Sequence, residues 1–126
     1  GNELTDVNLS PKVQMNGRSQ NPNQKPHYPL STVRELVNEG RVEIQERARQ
    51  NAMACFGWRK DDILRAFKRL RLVDFYKTEP KYDSLQGVMV DYYKAQNLMG
   101  EKVYIHFRVD RRCDGNILVI CSFKRI

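Results

Sequence analysis

The spacing of apolar residues changes once along this chain, near residue 72, and that change limits what it can fold into. Before it, apolar side chains recur at helical spacing: Val33, Leu36 and Val37; Ala48, Ala52 and Cys55; Ile63, Phe67 and Leu70. After it they alternate, as in Val103, Ile105, Phe107 and Val109. A period of about 3.6 marks one face of a helix, and a period of 2 marks one face of a strand. Helices followed by a run of strands predict an α+β fold, with an antiparallel sheet and the N-terminal helices packed on one face of it. Such a sheet can leave its other face open.

The local signals divide the chain further. In "KPHYPLSTVRELVNEG", Thr32 and Glu35 fit a capping box that starts a helix, and Gly40 fits its stop. "RVEI" alternates like a short strand. "QERARQNAMACFG" reads as a second helix with Gly57 near its end, and "RKDDILRAFKRLRL" as a third. Asp61 and Asp62 suit the positive end of that third helix. Four strand candidates follow: "LVDFYKTE", "GVMVDYYKA", "EKVYIHFRVD" and "NILVICSFKRI". "KYDSLQG" is turn-like, and Asp114–Gly115 in "RRCDGN" predicts a hairpin. Residues 1–24 are rich in Asn, Gln, Ser, Gly and Pro and lack sustained periodicity, so a flexible N-terminal arm is expected there. Residues 25–126 form the expected single domain, long enough for one core.

Charge points to a class of partner. Of 22 Lys and Arg and 15 Asp and Glu, two of each sign fall in residues 1–24, which leaves 20 basic against 13 acidic residues in the domain. A basic compact domain suits a polyanion. No apolar run approaches the roughly 20 residues that span a bilayer, so no membrane partner is expected. Cys55, Cys113 and Cys121, with only His27 and His106 beside them, match no zinc or disulfide spacing. Reduced thiols in the cytoplasm and no cofactor or metal are the expectation. The charge run Arg65, Lys68, Arg69 and Arg71 is read first as a solvated helix face, and second as an RNA contact.

Alternation sorts the strand residues by face. Tyr104, His106 and Arg108 should point away from the core that Val103, Ile105 and Phe107 enter. On the last strand, Ile117, Val119, Cys121, Phe123 and Arg125 should share one face, and Leu118, Ile120, Ser122 and Lys124 the other. With Phe123 in the core, Lys124 stands beside Tyr104. Lys77 should share a face with Phe75, opposite Asp74 and Tyr76, and both aromatics are expected to pack against the helices. Tyr92 and Lys94 oppose Asp91 and Tyr93, and register decides which pair is outward. Tyr, His, Arg and Lys on one face could cleave RNA without metal, by moving protons between the 2′-hydroxyl and the 5′-oxygen and by stabilising the phosphorane. Clustered cations would lower a Lys pKa enough to make it a base. The plainer reading of the same residues is an ordinary solvated sheet face.

The segments "KPHYPLSTVRELVNEGRV", "DFYK", "VDYYK", "GEKVYIHFRV" and "ILVICSFK", in this order and spacing, resemble the MqsR-type toxins of bacterial toxin–antitoxin systems from about Lys25 to Lys124. That resemblance implies a RelE-like fold, a sequence-selective mRNA endoribonuclease and an MqsA-like antitoxin as partner. It implies catalytic roles for Lys77, Tyr104 and Lys124. His106 stands where a relative has Lys, and could take over cation or acid duty. Val90 stands where the family pattern has Gln, and Tyr92, Tyr93 or Gln86 could compensate. Arg108, Tyr92, Lys94 and Arg125 are the expected RNA contacts. The alternative is a non-catalytic RNA- or antitoxin-binding module on the same scaffold.

Overall fold

The computed structural model describes residues 24–83 and 86–126. The expected arm, apart from Gln24, and part of the "KYDSLQG" turn lie outside the described residues. The architecture is α+β. Helix α1 (Leu30–Asn38), strand β1 (Val42–Ile44), α2 (Glu46–Phe56) and α3 (Lys60–Arg69) precede β2 (Phe75–Pro80), β3 (Met89–Leu98), β4 (Glu101–Arg112) and β5 (Gly115–Arg125). The strands form a five-stranded sheet in the order β1-β5-β4-β3-β2. The four C-terminal strands pair antiparallel, and β1 joins β5 in parallel.

The helices start and stop for different kinds of reason. α1 ends at Gly40, whose φ of 71° lies in the left-handed region that glycine enters without a Cβ clash. Its start differs from expectation. The helix begins at Leu30 behind Pro29 with no side-chain cap, so Thr32 sits inside the first turn and the Thr32–Glu35 box does not form. The entrance is held from across the fold instead. The fully buried carboxylate of Asp91, on β3, accepts the backbone N–H groups of His27 (3.0 Å) and Tyr28 (2.9 Å). The Tyr28 hydroxyl donates to the Met89 carbonyl at 2.7 Å. α3 caps itself locally, with Asp62 accepting the Arg59 N–H at 3.0 Å.

The segment Leu72–Asp74, expected as the start of a strand, is a single 3-10 turn. Asp74 reaches back to the N–H of Arg71 (3.4 Å) while its own N–H donates to the Arg71 carbonyl (3.0 Å). A short acidic side chain that bonds the nearby backbone competes in this way with sheet pairing.

One face of the sheet supplies the core. The Phe67 ring of α3 lies 5.4 Å from that of Phe107 and 6.1 Å from that of Phe123. Val33, Leu36, Ile63, Val103, Ile105, Leu118 and Ile120 pack in the same cluster. Tyr93 is buried there too, against Phe75 and Phe107.

Two β-bulges change which residues reach that core. On β2 the register slips between Phe75 and Lys77, so Phe75 pairs with Tyr93 while Lys77 pairs with Tyr92. Lys77 therefore leaves the face of Phe75, which corrects the simple alternation. On β5, His106 pairs with Ser122 and Phe107 with Ile120, so Cys121 is the extra residue. Leu118 and Ile120 join Phe123 in the core, and Val119 pairs with Arg108, which reverses the expected faces of these three. An inserted residue shifts the parity of everything on one side of it.

Candidate functional site

The face of the sheet opposite the core carries two ranks of side chains. Lys77, Tyr92, His106 and Ser122 are aligned across β2, β3, β4 and β5. Lys94, Tyr104 and Lys124 form the next rank. Register settles the open question on β3: Asp91 pairs with Phe107 and Tyr93 with Ile105, leaving Tyr92 and Lys94 on the open face. Ammonium groups lie against rings throughout. Lys77 Nζ is 4.8 Å from the centre of the Tyr92 ring, Lys124 Nζ is 5.5 Å from that of Tyr104, and the two rings are 6.3 Å apart. His106 stacks on Tyr92 at 4.8 Å with its plane tilted 29°. The β2 bulge also brings Tyr76 to this face, where Lys94 Nζ lies 4.0 Å from its ring centre, in place of the expected packing against helices.

The electrostatics differ from what clustered cations suggest. The Lys77 ammonium is held by Glu79, with Nζ and Oε1 2.5 Å apart. That hydrogen bond raises its pKa, where the expectation was a lowered, base-like lysine. Burial pushes the phenols of Tyr92 and Tyr104 up, so both keep their protons at neutral pH. Burial first, then the charges of Lys124, Arg47 and Lys77, push His106 down to about 4. Its imidazole is thus neutral near pH 7 and supplies no cation there. Its buried Nδ1 has no hydrogen-bond partner among the described residues.

A stability effect follows from His106. Its folded pKa lies below the value of about 6.5 for an unfolded chain, so below pH 6.5 the unfolded state binds the proton first. Stability should therefore fall as pH drops from 6.5 to 4, by on the order of 2–3 kcal/mol from this group. Urea unfolding of wild type and His106→Phe across that range should show a smaller slope in the variant. Identical slopes would remove His106 as the source.

Other expected contacts are engaged elsewhere. The Arg108 guanidinium is bound to Asp110 at 2.8 and 3.3 Å and donates to Cys121 Sγ at 3.3 Å, which ties it to the β5 bulge. Arg125 lies over the Phe56 ring at 5.0 Å, donates to the Cys55 carbonyl at 2.5 Å and pairs with Glu101 at 3.2 Å. It thus sits with α2, on the face of Phe123, away from Tyr104 and Lys124. Val90, which the resemblance sets in the position of the family's Gln, is buried and pairs with Glu79. Tyr93 is in the core and cannot replace that Gln, whereas Tyr92 is on the open face. Gln86 lines a separate cleft of about 490 Å³ with His27, Tyr28, Arg111 and Arg112. Glu79, beside Lys77, and Arg47, whose charge reaches His106, are the neighbours that the sequence pattern did not single out. Glu79 stands two residues from Lys77, a same-face spacing in any strand, so that signal was available.

An α+β domain whose open sheet face sets ammonium groups among protonated phenols offers chemistry that can receive an anion. The chain belongs to the MqsR toxin family: residues 25–125 match the family described as motility quorum-sensing regulator, toxin of MqsA. That description makes it a toxin of a toxin–antitoxin pair. No curated protein matches it significantly.

Proposed function

We propose that this toxin is a cytoplasmic, RelE-like mRNA endoribonuclease that cleaves a sequence-selected site by attack of the 2′-hydroxyl on the adjacent phosphorus, without a metal, and that an MqsA-like antitoxin restrains it. In a RelE-like arrangement the helices cover one sheet face and leave the other to the substrate, within a single domain from residue 25 onward. The observation that carries the reading is the row Lys77, Tyr92, Tyr104, Lys124: each ammonium lies over the ring of the adjacent tyrosine, and the two rings stand 6.3 Å apart at a tilt of 47°. A scissile phosphate over this row would meet an ammonium at each end. Lys77 and Lys124 stabilise the charge that grows on the phosphorane. Tyr104, protonated at neutral pH, donates to the departing 5′-oxygen. Tyr92, backed by His106, offers a surface on which a flanking base stacks. Lys94 sits where it can meet the next phosphate.

Incubation of the purified protein with mixed RNA in EDTA tests this directly. Fragments ending in 2′,3′-cyclic phosphate are expected. Buried Val90, where a polar substrate contact belongs in the family, favours the second reading, a binding module that does not cut. Intact RNA with retained, salt-sensitive binding would establish that reading instead.

A further inference from the structure

We infer that Glu79 is the catalytic base of this site, taking the proton from the RNA 2′-hydroxyl; this rests on the endoribonuclease reading above. The reaction needs an acceptor for that proton. The phenols of Tyr92 and Tyr104 hold their own protons at neutral pH, and so does Lys77. The His106 imidazole is packed against Tyr92, with Nδ1 buried. Glu79 is a carboxylate on the same face, two residues along β2 from Lys77 and bound to its Nζ at 2.5 Å. Its side chain is 43% exposed, so substrate can reach it. Among the described residues it is also the one carboxylate whose charge acts on Lys77, Tyr92 and Tyr104 alike.

The ion pair explains how base and cation share one strand without cancelling each other. In the free protein the Glu79 carboxylate occupies the anion position beside the Lys77 ammonium. A phosphate oxygen entering the row takes over Lys77, and the carboxylate turns to the 2′-hydroxyl. The proton passes from O2′ to a Glu79 oxygen as O2′ bonds to phosphorus. The bond from phosphorus to O5′ breaks, and the Tyr104 phenol gives its proton to O5′. The products are a 2′,3′-cyclic phosphate and a 5′-hydroxyl. Water then returns a proton to Tyr104 and removes one from Glu79, which balances the cycle.

Single-turnover cleavage by wild type, Glu79→Gln and Glu79→Asp over a pH series tests the inference, with binding followed separately on an oligonucleotide that carries 2′-deoxyribose at the cleavage site. Glu79→Gln should cleave about 10²-fold more slowly while binding the uncleavable strand as tightly as wild type or more tightly. It should also lose the fall in rate on the acid side of the wild-type profile. Glu79→Asp should retain part of the rate and that acid limb. Cleavage by Glu79→Gln at or above the wild-type rate would make the carboxylate only a brake on Lys77 and overturn its role as base. If wild type itself leaves RNA intact, the endoribonuclease reading falls, and this inference falls with it.

Discussion

Lys124→Ala should lower kcat/KM for RNA cleavage by about 10²–10³-fold while leaving the thermal transition nearly unchanged. The side chain is exposed, and the register holds it opposite Tyr104, on a strand whose preceding residue, Phe123, is locked in the core. Its loss removes a charge from the row without opening a cavity. Lys77→Ala should cost a similar factor. That change leaves Glu79 without its partner, but the pair is partly solvated, with side chains 31% and 43% exposed, so the stability cost should stay below about 1 kcal/mol. Lys124→Arg separates charge from geometry: if the cation acts only through its field, most of the rate returns. Single-turnover rates beside thermal melts decide the matter. A Lys124→Ala protein that cuts RNA at the wild-type rate would remove this residue from the mechanism.

Asp91→Ala should be the most destabilising single change considered, at about 3–4 kcal/mol. The carboxylate is fully buried and is the acceptor for two backbone N–H groups that precede α1. Hydrogen bonds to a charged group contribute about 1.5–3 kcal/mol each, and stranded donors add a desolvation penalty. For a domain of this size the melting temperature should drop by roughly 10–20 °C. Asp91→Asn keeps one carbonyl acceptor and should recover about half of the loss. Urea or thermal melts measure both variants. A loss under 1 kcal/mol for Asp91→Ala would mean that the α1 entrance is held by other contacts.

Asp91 also shows why the start of α1 was misplaced. A capping box is a signal four residues long, and Thr32 with Glu35 satisfies it in sequence. The entrance is decided by a carboxylate 64 residues from His27, which no local pattern can weigh against Thr32. The same limit applies to Arg125. Alternation placed it on the face of Phe123, and its place on the surface was read as RNA contact. Only the packed structure shows it occupied by Glu101 and the end of α2. The low pKa of His106 was likewise out of reach, because burial sets it first.

The sequence by itself determined the elements whose causes are local. Ala48 and Ala52 at helical spacing, Gly40 and Gly57 as helix stops, the turn before Gly115 and the alternation through β4 are all written within a few residues. Tyr104 opposite Lys124 was legible too, because parity counted from Phe123 crosses no bulge. The tertiary structure alone decided the face of Lys77, the reversal of Leu118, Val119 and Ile120, and the presence of Tyr76 beside Lys94. Each of these depends on where a strand takes in one extra residue. That position is set by how Phe75 and Ile120 fit the core from distant parts of the chain, and a period of two carries no record of it.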